Sequence, residues 1–362
     1  MKERPKLQGI PVKENIVRFG EYSQFLSNSA AVLFIPAAAL LVLVLLVFLL
    51  SDTPGRTLYF FFAGPFLNLY NFGNMLNAAV PLVLGALGVS LSMKTGNLNL
   101  GGEGQVYLGA FCAAAVCFIF PESGAIGMLF AMAAGFLSAG TMAAFSGFCK
   151  TKWNTNELIT TFLLSCAVIP AVNYLVTGPF LDPETSLLST RKISENLRLT
   201  VILKPSALNS SAFIAAAAVV FAWFFINKTK TGYEMRMTGS NDLFARYGGI
   251  NTKFNTAFSI ALSGGFYGLA GALAVMGTYH CVIKEFSAGL GWNGLAVALI
   301  AGFSIPAAIP AAVFFAWIGA GARIAMQNTG LTWETASVVQ AVIFFLSTSL
   351  AIRNIFSKKR GD

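Results

Sequence analysis

The sequence predicts an all-α polytopic membrane protein with about ten transmembrane helices, in which two halves repeat each other. Hydrophobic residues make up 56% of the 362 residues and charged residues only 11%, against roughly a quarter charged in ordinary soluble domains. Apolar stretches of bilayer length recur along nearly the whole chain. Each half also contains a Gly-rich polar break, and paired breaks of this kind indicate broken helices on either side of a path.

The apolar segments follow one another with short polar connections. They are residues 30–50, 75–93, 105–120, 125–149, 158–176, 207–227, 254–276, 291–303, 307–324 and 336–352. The aromatic stretch 57–74 is interpreted as an interfacial segment rather than a crossing, since Gly64 and Pro65 interrupt it. Small residues such as Gly135 and Ala139 in the segment 125–149 predict close helix packing.

The positive residues predict that both termini lie in the cytoplasm. The tails 1–29 and 353–362 are rich in Lys and Arg and flank a transmembrane domain of residues 30–352. Within that domain, alternation places residues 177–205 in an external loop and residues 228–253 in a cytoplasmic loop. The net charge of +9 is therefore attributed to orientation in the membrane, and no nucleic acid partner is expected.

The first polar break, residues 97–105, reads Asn-Leu-Asn-Leu-Gly-Gly-Glu-Gly-Gln. Such a stretch is costly in hydrocarbon unless it lines a cavity or packs inside protein, so we expect it to form one wall of a substrate path. Asn97, Asn99 and Gln105 can donate and accept hydrogen bonds, which suits a neutral sugar or nucleoside. Glu103 either contacts substrate or caps free N–H groups from the first turn of the following helix.

The second break, residues 289–294, places Trp292 beside Asn293. A ring next to an amide suits a ribose or an aromatic base, but an interfacial Trp anchor is the alternative. His280 is the only histidine and the five cysteines lack metal-ligand spacing, so we expect no metal site. The chain has neither a P-loop nor a G-x-S-x-G motif, and nothing in it indicates an enzyme.

The loop 228–253 contains a predicted short amphipathic helix. Ser240 or Asn241 can cap it, Asp242 falls in its first turn, and Gly248-Gly249 ends it. Its apolar face consists of Leu243, Phe244 and Tyr247. A helix of this kind can dock into a partner's groove or lie at the membrane interface without a partner.

Several motifs, in order along the chain, resemble those of the integral-membrane permeases of bacterial ABC importers for simple sugars and nucleosides. The resemblance is to the branched-chain-type family, in the branch paired with basic-membrane-protein-type binding lipoproteins. The family motif N-I-G-x-E-G-Q matches residues 99–105, with Leu100 in place of Ile. G-x-N followed by A-x-x-x-G-I-N matches residues 239–241 and 245–251, S-G-x-x-x-G-L-A-G matches 263–271, and G-x-x-x-I-A-V-A-L-x-G is recognisable in 291–302.

The resemblance implies three partners. They are a cytoplasmic ABC ATPase, a second permease subunit that is identical or homologous, and an extracytoplasmic binding lipoprotein facing the loop 177–205. It also implies a bacterial inner-membrane location and coupling to the ATPase through the cytoplasmic helix. The implied coupling residues are Gly239, Asn241, Ala245, Arg246, Gly249, Ile250 and Asn251. No cofactor is expected on this chain, because ATP and Mg²⁺ would bind to the ATPase.

The predicted function is that of a permease subunit in an ATP-driven importer of nucleosides or related sugar-like solutes, working by alternating access. One alternative is a riboflavin or simple-sugar permease of the same ABC class. A second is an ion-coupled secondary transporter that uses Glu103, and a third is a membrane scaffold without transport. The choice of nucleosides follows from the resembled branch, since the residues themselves leave the solute open.

Overall fold

The computed structural model describes residues 51–329, several residues of 41–49, and residues 338 and 341. Between residues 51 and 329 the chain forms eleven α-helices and no strand. The helices are α1 Pro54–Phe62, α2 Leu69–Met93, α3 Gly102–Ile119, α4 Gly124–Trp153, α5 Glu157–Thr177, α6 Ser211–Lys228, α7 Lys230–Ser240, α8 Asp242–Tyr247, α9 Thr252–Ala274, α10 Leu290–Ile300 and α11 Ala308–Asn328. A π-helical turn, Val275–Tyr279, continues α9, and 3₁₀ turns lie at Gly64–Phe66 and Glu195–Leu197.

The all-α prediction is confirmed, and seven of the described helices are long and apolar enough to cross a bilayer. These are α2 to α6, α9 with its π-helical turn, and α11. Each of the eight segments predicted between residues 75 and 324 corresponds to one helix, but α10 is only about 16 Å long, too short to span about 30 Å of hydrocarbon. The predicted segments 30–50 and 336–352 and the two tails lie almost wholly outside the described residues.

The predicted interfacial stretch 57–74 is divided between α1, a 3₁₀ turn and the first turns of α2. Helix α2 begins at Leu69, six residues before the predicted start of the apolar segment. The reason is local, since the side chain of Asn68 accepts a hydrogen bond of 2.7 Å from the backbone N–H of Asn71 and so caps the helix there.

Helices α2 and α9 form the centre of the bundle. About four-fifths of their most apolar residues are buried (83% and 78%), against 22–33% for α4, α5 and α6. Helix α9 packs along α2, α3 and α4, whereas α2 packs along α9, α10 and α11. The outer helices therefore leave broad faces for lipid or for other subunits.

Glycines allow α3, α4 and α9 to approach within backbone contact. A Cβ added to Gly109 of α3 would lie 2.3 Å from the Cα of Gly268 on α9, and one on Gly268 would lie 2.1 Å from the carbonyl oxygen of Gly135 on α4. Close approach of this kind is what small residues provide in membrane bundles. It confirms the close packing expected of the segment 125–149.

The bundle has two distinct ends. At the Lys94 end, Lys94 follows α2, and a Cβ on Gly239 of α7 would lie 2.2 Å from the carbonyl oxygen of Lys94. At the opposite end, here called the loop end, the connection 178–210 pairs with the chain after α9. There the N–H of Thr190 donates to the carbonyl of Val282 at 2.9 Å, and that of Ile193 to the carbonyl of His280 at 2.8 Å.

Gly109→Ala should lower the thermal unfolding midpoint of the detergent-purified protein. The new methyl group has only backbone atoms of α9 to displace, and such overpacking costs about 1–3 kcal/mol. Gly55→Ala in α1 is the matched control, because a Cβ there meets nothing within 4 Å. Equal midpoints for the two variants would contradict the observed α3–α9 contact.

Candidate functional site

The first break folds back from the Lys94 end into the bundle, and its amides bond to each other. Asn99 and Gln105 are 1% and 0% exposed. Asn99 Nδ2 donates to Gln105 Oε1 at 2.7 Å, and Gln105 Nε2 donates back to Asn99 Oδ1 at 3.1 Å. Asn99 Nδ2 also donates to Ser263 Oγ of α9 at 3.1 Å. In this conformation both amides are satisfied inside the protein, and their contact with a solute stays a prediction.

Asn97 ties the break to the turn between α4 and α5. It is 2% exposed, donates to Thr95 Oγ1 at 2.7 Å and accepts a hydrogen bond from Lys150 Nζ. Lys150 in turn forms an ion pair of 2.7 Å with Glu157, in the first turn of α5. Because these groups are largely buried, removing one member would leave the others without a partner, which is costly.

Glu103 bridges the two breaks. It lies in the first turn of α3, as predicted, but the N–H groups that its carboxylate accepts from belong to the start of α10. Oε1 accepts from Gly289 at 2.9 Å and Oε2 from Gly291 at 2.8 Å. A carboxylate at a helix N-terminus is stabilised by the helix dipole and by charge-assisted hydrogen bonds. The expected capping role is therefore observed, with α10 in place of α3.

The two breaks touch through glycine. A Cβ on Gly291 would lie 2.2 Å from the backbone nitrogen of Glu103, and one on Gly102 would lie 2.6 Å from Cζ of Tyr267. Tyr267 of α9 is 1% exposed, and its hydroxyl donates to the carbonyl oxygen of Gly291 at 3.1 Å. A larger residue at 291 would collide with the backbone of the first break, and one at 102 would displace the ring of Tyr267.

Trp292 and Asn293 begin α10 on the surface of the bundle. The indole is 38% exposed, and its ring centre lies 6.2 Å from that of Phe162 on α5. Asn293 is half-buried. Since α10 starts beside Gly102, Trp292 lies about 27 Å along α3 from the loop end. It is therefore not at the loop-end interface, and its contact with a solute stays a prediction.

The predicted cytoplasmic helix is present as α8. Asn241 Oδ1 accepts from the N–H of Phe244 at 2.9 Å, which confirms the predicted cap. Arg246 forms an ion pair of 2.6 Å with Asp242 and donates through Nε to Thr252 Oγ1 at 3.0 Å. The helix ends at the predicted glycine pair, where Gly249 has a φ of +80°, a conformation that favours glycine.

The remaining predicted coupling residues support the same unit. Ala245 is 1% exposed, its carbonyl accepts from the N–H of Ile250 at 3.0 Å, and Asn251 caps α9 by accepting from Phe254 at 3.1 Å. Gly239 lies against Lys94, whose ammonium donates to the carbonyl of Phe303 at 3.2 Å. Burial and the nearby charge of Arg236 lower the pKa of Lys94.

Helix α8 presents an apolar surface outward. Leu243 is 65% exposed, Phe244 63% and Tyr247 91%. Beside it, a groove of about 380 Å³ runs between α7 and α8. Gly239 places this unit against Lys94, immediately before the first break.

Three polar residues that sequence reasoning did not select meet beside the second break. Tyr107 Oη donates to Asn173 Oδ1 at 2.6 Å and accepts from the backbone N–H of Glu285 at 3.3 Å. Asn173 Nδ2 lies 3.4 Å from Glu285 Oε1. In the sequence, these residues could have been selected because they are polar and lie within or next to apolar segments. No feature of the neighbouring residues indicated that the three side chains meet.

The chain matches a known family over most of its length. Residues 71–348 match the model of the permease component of branched-chain amino acid transport systems. The chain belongs to this permease family. It is thus a subunit of the ABC importer class, and the resemblance found in its motifs is confirmed.

Several curated relatives align with most of this permease. The probable riboflavin import permease protein RfuC of Treponema pallidum is 32% identical over 82% of this chain and 79% of its own length. The guanosine ABC transporter permease protein NupP of Bacillus subtilis is 30% identical over 82% of this chain and 87% of its own length. A glucose ABC transporter permease protein of Haloferax volcanii is 30% identical over 76% and 75%. No solved structure matches the chain.

Glu103→Ala should destabilise the permease, because the N–H groups of Gly289 and Gly291 would lose their acceptor. Each buried donor left unpaired costs about 1–3 kcal/mol. Glu103→Gln keeps one carbonyl acceptor and should fall between Glu103→Ala and the unchanged protein. Thermal unfolding in detergent measures both, with Glu122→Ala in the exposed turn after α3 as control. A Glu103→Ala protein as stable as this control would rule out the bridging role.

Proposed function

We propose that this permease works with a second permease subunit and a separate ABC ATPase to import nucleosides or related hydroxyl-rich solutes by alternating access. The observation that carries the proposal is the α7–α8 unit, which exposes an apolar helix face and contacts the chain at the entry to the first break. Relatives named as guanosine and nucleoside permeases, at 27–30% identity, support the solute class. The relatives named for riboflavin and glucose keep the alternatives within one ABC class.

The route from motor to path follows the contacts of Lys94. ATP and Mg²⁺ bind on the ATPase, whose movement displaces α8 and, through Gly239, the end of α2. Lys94 also donates a hydrogen bond to the carbonyl of Phe303, which follows α10. The displacement is therefore transmitted to the helix that begins at the second break as well as to the first break. Two discrete arrangements of these polar contacts are what a two-state transporter requires.

The internal repeat is part of the proposal. Helices α2, α3 and α4 flank the first break as α9, α10 and α11 flank the second. The packing reflects this correspondence, since α2 lies against α10 and α11, whereas α9 lies against α3 and α4. A two-fold relation between the halves gives this exchange of neighbours. With segments 30–50 and 336–352, the chain would have about ten membrane segments.

The orientation follows from charge. The Lys94 end carries Lys94, Lys150, Lys152, Lys228 and Lys230, and the positive-inside rule places it in the cytoplasm of a bacterial inner membrane. Both termini are then cytoplasmic. The loop 178–210 is external and would contact the binding lipoprotein. Because the lipoprotein would supply the affinity for the solute, the path needs only weak contacts with the solute.

Reconstitution tests the proposal and its main competitor together. The permease, its ATPase and the second permease subunit are placed in liposomes with the lipoprotein outside. Accumulation of guanosine, riboflavin or glucose that requires internal ATP supports the proposal and identifies the solute. Accumulation by this chain alone under a proton gradient would instead establish the ion-coupled transporter. Transport of none of the solutes in either system would overturn the proposed solute class.

Tyr247→Ala should weaken ATPase binding by about tenfold or more, as expected of an aromatic anchor in an interface. Its side chain is 91% exposed, so the thermal stability of the permease alone should not change. Affinity is measured for the purified subunits in detergent. Tyr59→Ala, 54% exposed in α1, is the control, and equal ATPase affinity in both variants would place the ATPase elsewhere.

Arg246→Glu should abolish ATP-driven uptake while leaving the permease inserted in the membrane. The change removes the ion pair with Asp242 and the bond to Thr252 and places two carboxylates four residues apart on α8, which is unfavourable. Transport-coupled ATPase activity at the level of the unchanged protein would contradict the coupling role of α8.

A further inference from the structure

One surface of the bundle combines polar and aromatic side chains along α5 and the second break. Phe162, Cys166 and Asn173 lie on one side of α5, at positions i, i+4 and i+11. Trp292 lies beside Phe162, and Glu285 lies beside Asn173. These five residues are called the Glu285 face below. Each of their side chains is half-buried or exposed.

The polar part of the face is held in place by α3. The hydroxyl of Tyr107 donates to Asn173 Oδ1 at 2.6 Å and accepts from the backbone N–H of Glu285 at 3.3 Å. Glu285 has a φ of +58°, an uncommon backbone conformation for this residue type. The hydrogen bond from its backbone N–H to Tyr107 holds the residue in place. Its carboxylate is exposed beside the amide of Asn173.

Glu285 lies near the loop end of the bundle. The N–H of the preceding Lys284 donates to the carbonyl of Leu188 in the connection 178–210 at 2.8 Å, and Asn173 precedes the end of α5 at Thr177 by only four residues. The carboxylate and the amide therefore lie at the loop-end part of the face, with Phe162 and Trp292 deeper in the bundle.

Helix α5 is the least buried of the candidate spans, with 22% of its most apolar residues inside the bundle. Its buried side contacts the first break, where Ser165 Oγ accepts from the N–H of Gly104 at 2.7 Å. Phe162, Cys166 and Asn173 lie on the flank next to this side, about 60–100° around the helix from Ser165. Helix α5 therefore exposes an amide, a thiol and a ring on the flank beside its contact with the first break.

We propose that the Glu285 face lines the solute path and contacts the solute in two steps. The Glu285 carboxylate and the Asn173 amide bind hydroxyl groups of the solute near the loop end. About 16 Å further along α5, Phe162 and Trp292 stack on its planar ring. The class of solute that uses both contacts is a neutral molecule with a polyol joined to an aromatic heterocycle, such as a nucleoside or a flavin.

This inference rests on the proposed importer function, but Cys166 allows a test that does not depend on uptake. It is exposed, whereas Cys117, Cys149 and Cys281 are buried and Cys112 is half-buried. The assembled importer in membranes is treated with a charged, membrane-impermeant methanethiosulfonate, and modification at Cys166 is read by mass spectrometry. We expect modification of Cys166, which Cys166→Ser removes, and at least threefold slower modification when guanosine or riboflavin is present with the lipoprotein.

An unmodified Cys166 in the assembled importer, with full modification after denaturation, would place the face against lipid or another subunit and overturn the proposal. Modification that neither solute slows would also overturn the solute contact. Both results are read without uptake. They are therefore distinct from failure of the proposed function, which is an absence of ATP-driven accumulation by the unchanged importer.

Uptake supplies the second measurement. Glu285→Gln and Asn173→Ala should each lower the ATP-driven uptake rate at least tenfold for the solute that accumulates, with ATPase affinity unchanged. The Tyr107 bond uses the Glu285 backbone, so Glu285→Gln retains it. Glu122→Gln is the matched control, since this exposed carboxylate lies in the turn after α3. Wild-type uptake in both face variants would contradict the proposal.

Discussion

The bond between the Glu103 carboxylate and the start of α10 is the interaction on which the centre of this permease depends. The first N–H groups of a helix have no acceptor within that helix. Where the helix begins inside a bundle, other protein groups must accept their hydrogen bonds in place of water. Glu103 accepts from two of these groups and brings a negative charge to the positive end of the α10 dipole. One side chain of the first half thereby stabilises the helix start that interrupts the second half.

The glycines and Tyr267 follow from that bond. The carboxylate reaches α10 only because Gly102 and Gly291 let the two backbones touch, and Tyr267 closes the gap by donating to Gly291. Around this point the helices approach through backbone contact, which resists displacement. The Lys94 end combines one such backbone contact, between Gly239 and Lys94, with hydrogen bonds and ion pairs such as that of Lys150 with Glu157.

Much of the local structure was predictable because its causes are local. The eight apolar segments between residues 75 and 324 each became one helix, and Asn241 capped α8 as its spacing predicted. Asn99 and Gln105, six residues apart, bond to each other inside the protein. The polarity of this stretch correctly predicted that it avoids hydrocarbon, whereas its contact with a solute stays a prediction.

Hydrophobic periodicity and capping residues were sufficient for the membrane class and for the positions of the described helices. These properties depend on neighbouring residues or on composition, so they can be predicted from the amino-acid sequence alone. The partner of Glu103 is 186 residues away, and Tyr107, Asn173 and Glu285 come from three different elements. Only the packing of α3, α5 and α9 brings such groups together, because long-range proximity is a property of the folded bundle and leaves no periodic trace in the chain.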